Sequence, residues 1–312
     1  MAKLALRSER LMRPDTVDSD LGRALQGPVI AVLNKASGSW TSRAPAEAAA
    51  ILDAAGIAKA EIVCVSPRHL ESALDRALVT ASVLVVLGGD GTIRSAAAKC
   101  GGASALLVPL PGGTMNMLPK ALYGARDWRT ALIDTLANPA IRSVSGGRAS
   151  GHPFYVAAIM GAPTLWAEVR EALRGGKLGE AARRASTALR RGMSEPLDYR
   201  FGSERSGEAE AVAVMCPLVS KVMRGDESHF EAVAIDTRTA GELLRLGFNT
   251  LRDDWRADPS IRRAPVKSVI VTGARRIPVT LDGERVRLGR SVALDFLPLA
   301  FRALVPAPGN PT

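Results

Sequence analysis

The chain holds little of what binds structural metals, crosses bilayers or stacks on bases. Its three cysteines, Cys64, Cys100 and Cys216, stand in apolar or helical contexts with no C-x-x-C spacing. That argues against a zinc framework or a disulfide scaffold and fits a reducing, cytoplasmic setting. The three histidines, His69, His152 and His229, form no H-E-x-x-H and no cluster, so each reads as an ordinary surface or core residue. Aromatic residues are 4% of the chain and show no stacking pattern among the basic ones, which makes nucleic acid a poor fit as partner. No apolar run reaches the roughly 18 residues of a spanning helix. The N-terminus interleaves charge with its few apolar residues and offers no continuous apolar core for a signal peptide. Residues 1–27 are therefore expected to be a loosely ordered, flexible extension. The familiar nucleotide and nucleophile signatures are missing as well: no G-x-x-x-x-G-K-[ST], no G-x-G-x-x-G and no G-x-S-x-G.

What is present is an ordinary globular composition, 47% apolar and 23% charged, over 312 residues. At roughly 100–200 residues per domain, that length fits two domains. The net charge of +10, from 41 Lys and Arg against 31 Asp and Glu, favours a partner of opposite sign: a phosphorylated ligand or an anionic surface. Arginine used simply as a solubilising charge accounts for it equally well.

From residue 28 onward, apolar runs alternate with helical patterns. PVIAVLN, AEIVCVS, SVLVVLGGDGT and ALLVPLPGGT read as strands, and Ala-rich or amphipathic stretches between and after them read as helices. Continuous apolar strands alternating with helices predict a parallel sheet covered on both faces, with ligands at the carboxyl ends of the strands. The unusual residues gather at those ends. Asn34-Lys35-Ala36-Ser37-Gly38 follows the first strand, Ser66 the second, Gly88-Gly89-Asp90-Gly91-Thr92 the third, and Pro111-Gly112-Gly113-Thr114-Met115-Asn116 the fourth.

After about residue 141 the character changes. IRSVSGGRASGHPFYVAAIMGAP reads as a hairpin, and LDYRFG, AEAVAVMCPLVS, HFEAVAID, VKSVIVTG, RIPVTLDGERVRLG and SVALDFLPLAF read mostly as strands. Two helical stretches, 163–192 and TRTAGELLRLGFNTL, interrupt them. The expected layout is a nucleotide-binding α/β domain over 28–143, a β-rich sandwich with inserted helices over 144–305 that takes the substrate, and a tail over 306–312.

Glycines that free backbone N–H groups at the start of a helix make an anion site, and phosphate is its usual occupant. A carboxylate inside such a turn would repel phosphate unless it meets a magnesium ion or a hydroxyl to be deprotonated. The structural alternative is a tight turn in which Asp90 caps the next helix.

Together, NKASG, GGDGT, PGGTMN and the late Asp282-Gly283-Glu284 resemble the diacylglycerol kinase catalytic-domain family, which includes bacterial lipid kinases and the sphingosine and ceramide kinases. G-G-D-G-T by itself is shared with the NAD kinases and related phosphofructokinases; the four motifs in this order and spacing are the stronger signal. The resemblance runs from about residue 28 to 300. It implies an ATP-dependent, Mg²⁺-assisted lipid kinase acting on a diacylglycerol- or sphingosine-like hydroxyl. By the same resemblance Asn34, Lys35, Ala36, Ser37 and Gly38 bind ATP phosphates or ribose, with Ser66 at the second turn. Gly88, Gly89, Asp90, Gly91 and Thr92 hold the triphosphate, and Gly113, Thr114 and Asn116 line the cleft. Glu284, assisted by Asp282, is the general base at the domain junction, while Asp90 organises magnesium or shares the base role.

Three positions depart from the family pattern. Lys35 replaces the usual Pro, and Met117 stands where many bacterial members have Asp. RGDESHFEAV matches the family's metal loop poorly, leaving Asp226 as the nearest ligand. The departures keep two alternatives open: an NAD kinase-like enzyme, and a non-catalytic lipid or nucleotide binder. The helical stretch 163–192 is rich in Arg, either as a solvated face packed on the sandwich or as a peripheral contact with an anionic inner membrane face. A homodimer is compatible with all of this.

Overall fold

The structure, a computed structural model, describes residues 14–57, 59–161, 196–203, 205–220, 223, 227–236 and 258–307, with side chains from Asp20 onward. The chain makes two compact units, Met1–Ser143 with Phe301–Thr312, and Val144–Ala300.

The first unit opens with helix α1 (Pro14–Gln26) and then alternates β1 (Val29–Asn34), α2 (Ala44–Ala54), β2 (Glu61–Val65), α3 (Leu70–Leu78), β3 (Val83–Gly88), α4 (Asp90–Cys100), β4 (Leu106–Pro111), α5 (Met117–Tyr123) and α6 (Trp128–Ala137). The strands pair in parallel in the order β2-β1-β3-β4. Every residue of β1, β3 and β4 is buried, so these strands read as unbroken apolar runs because both of their faces are covered. Each Val or Leu so buried contributes about 1.5–3 kcal/mol, enough to fix the order of the layers before any polar contact is counted. The helices are tied to one another at the surface: Arg129 of α6 bonds Glu47 of α2 at 2.5 Å, and Lys99 of α4 bonds Asp75 of α3 at 2.5 Å. Burial pushes the Cys100 thiol up to about 12, as befits a packing residue.

The second unit is antiparallel. It comprises most of β5 (Pro139–Ala149), then β6 (His152–Phe154), β7 (Ala157–Gly161), β8 (Leu197–Phe201), β9 (Arg205–Ala209), β10 (Ala211–Met215), β11 (Phe230–Ile235), β12 (Ile261–Val266), β13 (Ser268–Thr272), β14 (Val279–Leu281), β15 (Glu284–Val286) and the first part of β16 (Ser291–Pro306). One sheet runs β12-β11-β10-β7-β14-β15; the other runs from β16 through β13 and β8 to β9. Met160, Val212 and Phe230 of the first sheet share one buried cluster with Tyr199, Val269 and Val292 of the second, so the two sheets form a sandwich. Gly146 and Gly147 lie inside β5 and not in its turn. A Cβ on Gly147 would meet the rings of Phe154 and Phe230 at 2.4 and 2.5 Å, and the hairpin turns instead at Ser150 and Gly151, both with positive φ.

The structure corrects the expected layout at its ends. Residues 14–26 of the extension are helical, opened by Pro14 at the first helical position and tied down where Asp20 meets Arg302 at 3.5 Å. Residues 301–306 belong to the first unit: Ala303 pairs with Leu107 of β4, the Tyr123 hydroxyl donates to the Leu304 carbonyl at 3.2 Å, and Ala307 N donates to Asn138 O at 2.7 Å. Strands β9 and β12 arise from RSGEA and IRRAPV, stretches with no apolar alternation. The helical expectations for 163–192 and for 237–251 lie outside the described residues.

Candidate functional site

Register sets the site. Leu33 of β1 stands beside Leu87 of β3, and Gly88 stands beside Pro111 of β4, so the loops after β1, β3 and β4 leave the sheet at one edge and side by side. They are then sewn together. Asn34 Nδ2 donates to Thr92 Oγ1 at 2.9 Å, and Ser37 Oγ donates to the Gly112 carbonyl at 2.6 Å. Gly112 N donates to Gly88 O at 2.9 Å. Asn34, Ser37 and Thr92 are all buried, so these are costly bonds to lose.

Close approach dictates the glycines at two of these positions. A Cβ on Gly112 would fall 2.3 Å from Ser37 Oγ and 2.9 Å from both Gly88 N and Gly88 O. On Gly113 it would fall 2.7 Å from the Gly89 Cα. Gly112 was not among the expected site residues, although the P-G-G-T run contained it; it is the spine against which the other two loops lie.

Asp90 does something the turn alone does not reveal. Its Oδ2 accepts from Asn116 N at 2.9 Å and its Oδ1 from Met117 N at 2.5 Å, so the carboxylate caps α5, two elements further along the chain. The structural alternative anticipated a cap on the next helix; that helix, α4, has Gly89 at its cap position, with no side-chain cap hydrogen bond. The first N–H groups of α4 therefore have neither an intrahelical acceptor nor a side-chain cap. Asn116 sits in the left-handed region at φ 50°, and its side-chain amide bonds both Gly113 N and Gly113 O at 2.7 Å. Lys35, Ala36, Gly38 and Thr114 are exposed around this mesh, with Met115 55% exposed beside them. Ser66 lies at the end of β2, its hydroxyl 3.2 Å from His69 Nδ1.

The second unit holds the other acids. Asp282 and Gly283, at φ 49° and 83°, form the two-residue turn between β14 and β15, where positive φ at both positions suits the strand twist. Asp282 is 3% exposed. Its Oδ2 accepts from Tyr155 N at 2.9 Å, and its Oδ1 from Val156 N at 2.8 Å and Ala157 N at 3.0 Å. Asp282 N in turn donates to Ala157 O at 2.8 Å. The carboxylate thus anchors the turn to the bend between β6 and β7. Burial, and then the Asp282 charge, push the Cys216 thiol well above its ordinary range. Glu284 follows on β15 and is half-buried. A second buried acid, Glu231, accepts from Ser220 Oγ at 2.5 Å. The Asp282-Gly283-Glu284 motif does not disclose the partners of Asp282, and no motif marks Glu231, because the partners are backbone groups or a lone hydroxyl. Asp226 lies outside the described residues, and among the described residues no three His, Cys, Asp or Glu side chains gather as a metal cluster.

Residues 28–149 match the family profile of the diacylglycerol kinase catalytic domain. Among solved structures, a proposed diacylglycerol kinase from Bacillus anthracis is similar at a TM-score of 0.70 and 16% identity, covering 90% of this chain and 98% of that one. A second diacylglycerol kinase structure from Bacillus anthracis gives 0.66 at 14% identity, over 90% and 97%. At such identities the likeness is one of fold. No curated protein matches the sequence significantly. The three interlocked glycine loops all fall within residues 28–149, the stretch that is similar to the diacylglycerol kinase catalytic domain.

Proposed function

We propose that the protein transfers the γ-phosphoryl group of ATP to the hydroxyl of a diacylglycerol- or sphingosine-like lipid. Gly89 is the observation that carries this reading. It caps α4 at φ −78°, a conformation open to any residue, and a Cβ there would meet nothing nearer than the Gly113 Cα at 3.7 Å. The fold does not require glycine at this position, and serine or aspartate would cap the helix better. A side chain is absent where a phosphate would lie on the uncapped N–H groups of α4.

In this reading the acceptor oxygen bonds to the γ-phosphorus as the bond to the bridging oxygen breaks, ADP departs, and the hydroxyl proton passes to a carboxylate, assigned to Glu284. Positioning and charge neutralisation supply most of the rate. Magnesium fits Asp90: each oxygen accepts a single backbone N–H and keeps a lone pair, and this ion is commonly held by one or two carboxylates plus substrate phosphates. When bound, the ion would neutralise charge on the phosphate oxygens.

Labelled ATP, Mg²⁺ and a mixed lipid extract in detergent micelles test the proposal. The expected result is one labelled lipid, lost with Glu284→Gln. It should also fall at least about tenfold in kcat/KM with a stably folded Gly89→Ala, the loss of roughly one well-placed donor. Absence of any labelled lipid, or full activity in Gly89→Ala, would overturn it.

A further inference from the structure

We infer that the open side of the second unit's sandwich, between edge strands β9 and β12, is a docking surface for an anionic lipid bilayer. Two adjoining hollows of about 770 and 500 Å³ lie there and share Phe201 and Arg205. Their floor includes Tyr199 and Phe201, whose rings pack at 4.5 Å and are buried to 5% and 3% exposure. Arg200, Arg262, Arg263 and Lys267 stand exposed around it, and Arg205 Nη1 donates to the Arg263 carbonyl at 3.1 Å, binding one edge strand to the other. Among the described residues no Asp or Glu lines either hollow. Arg23, Lys99, Arg126, Arg129 and Arg302, by contrast, each meet a carboxylate of the described fold. The cations around the hollows are therefore not neutralised from within the described fold.

Edge strands commonly carry charge to deter pairing with other chains, and one Lys or Arg on each would be enough for that. Five cations converging on one concavity from β8, β9, β12 and the β12–β13 link exceed that need. Phosphate groups arrayed on a surface are the complementary partner. Single-stranded nucleic acid carries the same charge but binds through exposed stacking rings, and here both aromatic rings are buried. The inference deepens the lipid-kinase reading and rests on it, since a bilayer-resident acceptor gives such a surface its use.

Vesicle co-sedimentation without ATP is the test, using phosphatidylcholine vesicles with and without phosphatidylglycerol. The variant Arg200→Gln/Arg262→Gln/Arg263→Gln is compared with Lys59→Gln/Arg68→Gln/Arg76→Gln, which removes the same charge from the first unit. Each surface cation contributes about fivefold to partitioning, so the groove variant should lose on the order of a hundredfold for the anionic vesicles alone. Raised salt should weaken the wild type likewise, and the control variant should bind like the wild type. Equal binding by the groove variant, or a preference of these residues for a single-stranded oligonucleotide over the vesicles, overturns the inference. Groove-dependent vesicle binding with no lipid phosphorylated supports the docking surface and removes the kinase reading. Failure of docking alongside intact transfer in micelles does the reverse.

Discussion

Asparagine at position 282 keeps the shape of the side chain while removing its charge and one of its two acceptors. The wild-type carboxylate holds three backbone donors, Tyr155 N at 2.9 Å on one oxygen, and Val156 N and Ala157 N at 2.8 and 3.0 Å on the other. An amide can turn its oxygen to only one side. Facing Val156 and Ala157, it points its NH₂ at the Tyr155 N–H, donor against donor, at a site 3% exposed. Two surviving bonds then lose charge assistance, about 1 kcal/mol each, and the third leaves an unsatisfied buried donor at about 1–3 kcal/mol. The expected cost of Asp282→Asn is about 3–5 kcal/mol of unfolding free energy. Urea denaturation measures the total, and amide hydrogen exchange at residues 155–157 locates it. Glu284→Gln, one turn residue away, should cost much less and lose activity without those amides opening. An Asp282→Asn protein that unfolds within about 1 kcal/mol of the wild type, with the three amides still protected, refutes the anchoring argument. Loss of turnover in that stable variant would place the carboxylate in the chemistry instead.

Two smaller changes probe the first unit. Gly113→Ala pushes a Cβ to within 2.7 Å of the Gly89 backbone and should cost about 1–3 kcal/mol by thermal unfolding, whereas Gly89→Ala should leave the transition in place. Asp127 caps α6, and the Thr130 hydroxyl, helped by the N–H groups of Arg129 and Thr130, holds its carboxyl below the usual range despite slight burial. Its folded pKa is the lower one, so its contribution is present above the unfolded value of about 3.9 and is lost as pH falls through the folded value. Asp127→Ala should thus be about 1 kcal/mol less stable than the wild type at pH 7, and the gap should close under more acid conditions than pH 3.9.

The sequence disclosed what local chemistry writes. Strands β1, β3 and β4 are apolar up to their carboxyl ends because both faces are covered, and the glycine turns that follow need no distant partner to be recognised. Strands β9 and β12 escaped because each borders a sheet. RSGEA and IRRAPV carry the charge and proline of exposed edges, not the alternation of a half-buried strand. The Asp282 cradle was hidden for a different reason: its donors are main-chain groups, and every residue has those. Asp90 showed its chemistry but not its address, since the helix it caps begins 27 residues later.

The last strand carries a consequence for how the protein is made. Strand β4 is wholly buried in the finished fold, and the segment beside it begins at Phe301. The bonds that seat this segment join residues 181 and 198 positions apart. At about 5–20 residues per second, a ribosome needs roughly 10–40 s to supply the missing neighbour once β4 has emerged. During that interval the nascent first unit presents an unpaired apolar edge, a template for wrong partners. A fragment ending at residue 149 would keep that edge uncovered, since the segment that lies beside β4 falls outside the residues matched by the family profile.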